Sequence, residues 1–560
     1  MLNQINYSLP EELETAVQRQ FEDWKKENKI ARLWAKDASV WTDKDEAKWL
    51  GWLDIVESEL KDLQKYRDFA ADAKDFSDIV LLGMGGSSLG PEVFSITFGK
   101  RNFHILDSTV PAQIKTLESR IDLAKTLFIV ASKSGSTLEP NTFKQYFFVK
   151  VAQLAGRENA GKQFVAITDP NSKMQQVAER DNFRRVFFGN PEIGGRFSVL
   201  SVFGMVPASA MGIDVEQFLR RTNEMVAACK NDDPIDNPGA ILGTILGVCQ
   251  TSGRDKLTIF TAPEIHDVGA WLEQLIAEST GKDNISIIPV DREAIQSLDK
   301  YGSDRIFAYL KLKTSEENGS IAALEKAGQP IINIELENKL NLGQEFFRWE
   351  FATAVAGSIM RINPFNQPDV ESAKIEAKKL TEEYETTGEF PDETAFYEEN
   401  GIKLFTDEKN AAELNQQIAG EKSLTNYLTE HFSRIKENDY FALLAYIEMN
   451  AENEALLQKI RHRILLEKRV ATCLGFGPRF LHSTGQAYKG GANNGVFLQI
   501  TSDDAEDLQV PDQKYTFGAV KAAQARGDFQ VLLDRERRAL RVHLGEDVVE
   551  GLRKLTEIIR

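Results

Sequence analysis

Cysteine is scarce, with three in 560 residues. Cys229, Cys249 and Cys473 lie far apart and form no C-x-x-C or metal-ligand spacing. That leaves no disulfide framework and fits a reducing cytoplasm. Basic charge is also in short supply: 67 Lys and Arg face 85 Asp and Glu, for a net charge of -18 and a pI near 5.1. Broad attraction to nucleic acid or to an anionic membrane is therefore excluded. No apolar run is long enough to span a bilayer. The uncharged stretch Phe197 to Ile213 is short and carries Ser, Gly and Pro, so it reads as a buried core helix. The opening MLNQINYSLPEELE has no basic region followed by an apolar one, and no secretion signal is expected. What remains is 42% apolar and 27% charged, the make-up of a soluble globular chain, and 62.9 kDa is enough for two to four domains.

The strongest local signal is Asp78 to Val93, DIVLLGMGGSSLGPEV. An apolar run breaks into Gly83, Gly85 and Gly86, then into Ser87 and Ser88, and helix-compatible residues follow Pro91. This spacing predicts a strand, a tight loop and a helix start. Glycines let backbone N–H groups approach a ligand, and a helix N-terminus favours an anion, so a phosphate is the first ligand to consider. Neither G-x-G-x-x-G nor a P-loop fits, because Ser88 stands where the former needs glycine and Ser88-Leu89-Gly90 where the latter needs Gly-Lys-Ser/Thr. A second stretch, Ile129 to Asn141, IVASKSGSTLEPN, repeats the device. Ser132, Ser134, Ser136 and Thr137 offer hydroxyls and Lys133 a cation, which suits a phosphate monoester.

Along the chain, Pro10 to Lys74 has helical periodicity and few strand signals. Short apolar strands then alternate with helices: Ile79 to Leu82, Phe103 to Leu106, Thr126 to Val130, Phe164 to Thr168 and Arg185 to Phe188. A second series is Leu257 to Thr261, Ile285 to Val290, Arg305 to Leu310 and Pro330 to Ile334. The alternation predicts two similarly built, doubly wound α/β domains with mostly parallel sheets and a cleft between them. A long apolar helix follows, Glu345 to Arg361, and Thr381 to Asn400, acidic and without Lys or Arg, reads as a solvated connection. The last part has strand-like runs at Phe441 to Tyr446, Gly495 to Thr501, Phe529 to Leu533 and Leu540 to His543. The division expected is a helical N-terminal segment (1–76), two α/β domains (77–225 and 226–380) and a C-terminal α/β segment packing on them (381–560).

Four further stretches could carry chemistry. Gly194-Gly195-Arg196-Phe197-Ser198 puts an arginine into an apolar stretch, where it is either a structural ion pair or an anion ligand. Trp271 to Lys282 predicts a helix with Gln274 and Glu278 on one face, the carboxylate being a candidate general base. Asn363 to Lys374, NPFNQPDVESAK, places Gln367 and Lys374 around a proline turn and the helix after it. Leu481 to Gly491, LHSTGQAYKGG, sets His482 in a polar, glycine-rich loop where it can act as acid or base. The other five histidines have no comparable surroundings and read as structural.

GMGGSSLGPEV, ASKSGSTLEPN, GGRFS, ESTGK, FNQPDVESAK and LHSTGQ together resemble the glucose-6-phosphate isomerase family, of the sugar isomerase (SIS) fold. The agreement covers about residues 75 to 375 and, with FGAVKAAQARGDFQVL, the C-terminal region resembles the isomerase half of fused transaldolase/glucose-6-phosphate isomerases. The resemblance implies two SIS-type domains and reversible exchange of glucose 6-phosphate and fructose 6-phosphate through an enediolate, without metal or other cofactor. It implies Gly86, Ser87, Ser132, Lys133, Ser134, Thr137 and Gln367 at the phosphate, Gln274 at the sugar and Arg196 on the enediolate oxygen. Glu278 would be the base between C1 and C2, with His482 and Lys374 opening the ring. Partners expected are these sugar phosphates, with a homo-oligomer and a native association or fusion with transaldolase open, and no nucleic acid or membrane. Two readings compete: a non-catalytic sugar-phosphate-binding module, and an isomerase that also takes mannose 6-phosphate. Asn366 stands where the family usually has Asp, Asp369 where it has Gly, and the LHS-x-GQ motif follows the FNQ motif instead of preceding it.

Overall fold

The computed structural model describes residues 1–418 and 420–559. Strand β1 (Gln4–Ser8) opens the chain, and helices from Glu11 onward lead to the first glycine loop. The first sheet holds β2 (Asp78–Leu82), β3 (Phe103–Leu106), β4 (Thr126–Ala131), β5 (Phe164–Thr168) and β6 (Arg185–Phe188), in the order β3-β2-β4-β5-β6, all parallel. The second holds β7 (Lys256–Thr261), β8 (Ile288–Asp291), β9 (Arg305–Leu312) and β10 (Ile331–Leu336), in the order β1-β10-β9-β7-β8. Both are α/β sheets whose parallel strands are joined through crossover helices, as the alternation of apolar runs predicted.

A third sheet comprises β11 (Tyr397–Glu399), β12 (Ile402–Phe405), β13 (Tyr440–Tyr446), β14 (Ala471–Phe476), β15 (Gly495–Ser502) and β16 (Arg538–Leu544), in the order β11-β12-β16-β15-β13-β14. Its four long strands are parallel.

Besides the later start of β8 at Ile288 and of the uncharged core helix, which spans only Val202–Ala210, three elements differ from the sequence reading. The N-terminal segment is not wholly helical: β1 pairs antiparallel with β10 and closes one edge of the second sheet. Five residues before a proline give too short a pattern to announce a strand. Phe529 to Leu533 is not a strand but the end of the helix Phe517–Asp534, an instance of a short apolar run that cannot by itself separate strand from buried helix. The acidic connection is shorter than expected, since Thr381 to Thr387 continues the helix Pro368–Thr387 and Tyr397–Glu399 is a strand.

One core runs through the N-terminal helices and both first sheets. Trp52 stacks on Phe197 and touches Phe347 and Phe351, and Trp271 meets Phe346 edge to face. The helix Leu342–Ile359 lies at its centre, with Glu345, Arg348 and Glu350 fully buried. Arg348 donates to the Asn3 carbonyl (2.6 Å) and Asn3 to Glu345 (2.8 Å), whereas Glu350 has no hydrogen-bond partner, and burial pushes its carboxyl well above the ordinary range. The third sheet has its own core on one face. Its other face packs Tyr440, Phe480, Tyr488 and Phe497 against Ala277 and Ile288 of the second unit.

Candidate active site

Loops at the carboxyl ends of β2 and β4 line the cavity. Beyond β2 the chain turns through Gly85–Ser87 into the helix Leu89–Thr97, and beyond β4 it turns through Ser132 to Thr137 into the helix Leu138–Ala155. Gly135 takes φ +67°, where a Cβ would lie 2.2 Å from the Met174 nitrogen. Asn141 ties the loop down by donating to the carbonyls of Gly135 (3.1 Å) and Thr137 (2.7 Å). Both loops therefore present hydroxyls at a helix N-terminus, where an anion is stabilised. Ser88 turns away and bonds Asp107 (3.0 Å), which leaves Ser87 as the cleft-facing serine.

Glycine also sets how closely these loops approach their neighbours. A Cβ on Gly86 would sit 1.9 Å from the Gly195 carbonyl oxygen, so the first loop rests on the GGRFS turn. Gly85 takes φ +54°, and a Cβ there would lie 2.8 Å from both the Gln274 amide nitrogen and the His482 carbonyl oxygen. Only a bare backbone closes this three-way contact.

A cavity of about 380 Å³ results. It is lined by Gly86, Ser87, Ser132, Lys133, Ser134, Thr137, Arg196, Gln274, Glu278, Gln367, Lys374 and His482, all singled out from sequence, whereas Ser136 of the same loop is not among the lining residues. His482, though late in the chain, reaches the cleft, and Gln274 donates to its carbonyl oxygen (2.7 Å). Chain order and cleft order simply differ.

Arg196 is buried and bonds Ser279 (2.7 Å), Gln367 (2.9 Å) and the carbonyls of Pro364 (2.6 Å) and Asn366 (3.1 Å). Its guanidinium lies 3.4 Å from the Glu278 carboxylate, so it is an ion pair, and it also faces the cavity. Burial pulls its pKa down and the Glu278 charge opposes this. The other Glu278 oxygen accepts from Gln274 (3.1 Å). Buried Lys282 stands behind them, held by the Asn363 and Asn366 carbonyls (2.8 and 2.6 Å) and the Asn366 side chain (3.0 Å). Burial, then the Arg196 charge, lowers its pKa well below the ordinary value. Asn366 thus serves as a neutral acceptor for Lys282. Gln274 Oε1 and Ser132 Oγ are buried without partners, polar atoms left for a ligand to satisfy.

Lys133 is not a free cation. Its amine pairs with Asp169 at 2.5 Å. Lys374 stands at the mouth of the cleft, about half exposed, and pairs with Glu371 (2.9 Å).

The sequence reading missed Glu139, Asp169 and Trp49. Asp169 lies immediately after β5, where ligand-facing groups gather in such sheets, and that was the available signal. Glu139 sits in the quoted STLEPN and is buried, accepting from His482 Nε2 at 2.9 Å. Burial would raise its carboxyl, but the His482 charge and hydrogen bond outweigh this, and it lies below its ordinary value.

The out-of-order segment is fastened at several points. Arg479, three residues before His482, grips Glu92 in bidentate fashion (2.5 and 2.8 Å) and Asp107 (2.9 Å). Gln486 accepts from the Asp369 and Val370 nitrogens (3.0 and 3.1 Å) and donates to the Gly281 carbonyl (2.7 Å) and Asp369 (2.8 Å). Arg535 pairs with the same Asp369 (2.5 Å). Asp369 tethers the helix Pro368–Thr387 to the C-terminal segment.

Two α/β sheets, one wholly and one mostly parallel, thus share a cavity lined by hydroxyl-bearing helix starts and by a carboxylate beside an arginine. Residues 57–297 match the family model for phosphoglucose isomerase. The glucose-6-phosphate isomerase of Methanocaldococcus jannaschii is 27% identical over 364 residues, covering 58% of this chain and 88% of that protein. That of Clostridioides difficile is 25% identical over 391 residues, covering 58% and 85%. Among solved structures, a hypothetical protein from Thermus thermophilus aligns with a TM-score of 0.58 at 22% identity, over 67% of this chain and 99% of that one. A glucose-6-phosphate isomerase from Chlamydia trachomatis aligns at 0.50 and 21%, over 65% and 79%. The chain is a relative of the glucose-6-phosphate isomerases. Among the described residues no helix is long and apolar enough to cross a membrane.

Proposed function

We propose that the protein interconverts glucose 6-phosphate and fructose 6-phosphate through an enediolate. The observation that carries this reading is the Glu278 carboxylate beside the Arg196 guanidinium at 3.4 Å, in one cavity with both serine-bearing loops. The phosphate is held by Gly86, Ser87, Ser132, Ser134, Thr137 and Gln367, with Lys133 acting as one half of its pair with Asp169. Gln274 contacts the sugar. His482, backed by Glu139 and assisted by Lys374, moves the proton that opens the ring. Glu278 then takes the proton from C2 and returns it to C1, while Arg196 stabilises the oxygen on which negative charge develops. On this reading residues 77–225 and 226–380 are the two halves of the isomerase, and 381–560 complete it with His482.

A non-catalytic sugar-phosphate module has no need of a buried base facing an arginine. A coupled assay on fructose 6-phosphate decides between them, with Glu278→Gln as the control. Wild type should turn over and incorporate solvent deuterium at C2, and the variant should fall by about two to four orders of magnitude while still binding in calorimetry. Unchanged exchange in the variant refutes the assignment of the base. EDTA should leave activity intact, because the acid–base groups named carry every step. Mannose 6-phosphate is the second substrate to assay. The reading also carries the cytoplasm as location, in keeping with three free cysteines, and leaves a homo-oligomer or a transaldolase complex for sedimentation to decide.

A further inference from the structure

The motif FGAVKAAQARGDFQVL belongs to no step described so far, yet its helix, Phe517–Asp534, sends one side chain to the back of the cleft. Gln524 is buried, and its amide nitrogen donates to Glu139 Oε1 at 2.6 Å. The same oxygen accepts from His482 Nε2. The amide is oriented from behind: the hydroxyl of Thr109, itself fully buried just beyond β3, donates to Gln524 Oε1 at 2.7 Å. A hydroxyl hydrogen on that oxygen leaves only the NH2 end to face Glu139. The result is a directed line of donors from Thr109 to Gln524 to Glu139, met from the other side by His482.

We propose that Gln524 is a positioning residue for ring opening: it keeps Glu139 as an ionised acceptor so that His482 holds its proton on Nε2 and turns Nδ1 to the sugar. This rests on the reading of His482 as the ring-opening acid and base. Burial works against the charge on Glu139, and a second short donor on the same oxygen favours the ionised form. A carboxylate behind an imidazole fixes its tautomer and ring orientation. The charged groups facing this point are few. Glu139 comes from the helix Leu138–Ala155, His482 from the Arg479–His482 turn, and Lys374 from the helix Pro368–Thr387, its charge also acting on Glu139. Asp528, one turn further along the same helix as Gln524, pairs with Lys489 of the helix Gly485–Gly490, beside the Tyr446 hydroxyl.

The test uses the full chain and two substrates: cyclic glucose 6-phosphate, and a four-carbon aldose phosphate with no free hydroxyl placed to close a ring. Gln524→Leu should lower kcat on the cyclic substrate by about ten- to a hundredfold, with KM little changed, and leave the open-chain substrate within about threefold of wild type. Gln524→Glu keeps the shape and puts a second carboxyl against Glu139, so the two should share one proton with a raised second pKa. Its cyclic-substrate activity should then recover as pH falls, a dependence absent from wild type. Thr109→Val should reproduce part of the Gln524→Leu effect. Histidine 15N spectra should show the Nε2–H tautomer of His482 in wild type and its loss in Gln524→Leu, whatever the activity. Equal slowing on both substrates, or a Gln524→Glu pH profile superimposable on wild type, makes Gln524 a packing residue and overturns the proposal. A wild-type protein inert on both substrates but showing the Nε2–H tautomer would refute the isomerase reading instead.

Discussion

Gly86→Ala tests the architecture of the cleft with a single methyl group. The added carbon would lie 1.9 Å from the Gly195 carbonyl oxygen, 2.3 Å from its carbon and 3.0 Å from the Arg196 nitrogen. A carbon and a carbonyl oxygen rest at about 3.3 Å or more, so the first glycine loop and the GGRFS turn must part by about 1.4 Å. Neither partner can yield by rotating a side chain, because both are backbone. The displacement reaches Arg196 directly, whose guanidinium is fixed by Ser279, Gln367 and two carbonyls on the far side of the cavity. A shift of about 1 Å between groups that must act together costs about a hundredfold in rate, and overpacking costs about 1 to 3 kcal/mol in stability. The expected result for Gly86→Ala is a kcat/KM for fructose 6-phosphate lowered by about a hundredfold, with a folded protein of reduced Tm. Gly194→Ala, where a Cβ meets nothing within 4 Å, is the control and should stay near wild type in stability. Full activity in Gly86→Ala would refute the claim that these two loops are locked in contact around the substrate.

Lys133→Ala removes one half of an ion pair and leaves Asp169 as a bare carboxylate beside the phosphate. Apparent affinity should fall by about ten- to a hundredfold, and Lys133→Ala with Asp169→Asn should recover part of it; a loss confined to kcat contradicts the phosphate assignment. Arg479→Leu strands the buried Asp107 carboxylate and the partly buried Glu92, a loss of about 3 to 5 kcal/mol that thermal unfolding should read as a large drop in Tm. An unchanged Tm would mean the clasp is idle. Glu350 works the other way. Its folded-state pKa is raised, so no penalty exists below the unfolded value of about 4.3, and stability is lost as pH rises above it. Glu350→Gln should therefore gain in Tm over wild type more at pH 8 than at pH 5, and an equal difference at both would show that its carboxyl ionises freely in the fold.

The parts of this molecule legible from sequence were those built on local rules. Period-2 and apolar runs gave β2 to β6 and β7 to β10 within a residue or two, apart from β8, because parallel strands buried on both faces are nearly uninterrupted hydrophobes. Loops after strands gave Ser132, Ser134 and Thr137 for the same reason. What escaped depended on contacts made far along the chain. β1 is a strand only because β10 offers it an edge, and Phe529 is helical because the period begins at Phe517. Lys133 looked like a free cation because its partner, Asp169, lies 36 positions away on the next strand's loop. Glu139 stood among quoted residues unremarked, since nothing local tells a buried carboxylate at a helix start from an exposed one.

The late position of His482 gives the enzyme a timetable. The residues proposed to grip a sugar phosphate, from Gly86 to Lys374, leave the ribosome before the Arg479–His482 turn exists, and Gln524 later still. At about 5 to 20 residues per second, the 150 residues that separate Lys374 from Gln524 occupy roughly 8 to 30 seconds of synthesis. During that interval the core shared by the N-terminal helices and both first sheets can already form, since it draws on no residue beyond Phe365. On the proposed assignment, the nascent chain passes through a stage in which it holds its ligand loops and Glu278 but lacks His482, and ring opening becomes available only when the last sheet lays its turn against Gly85.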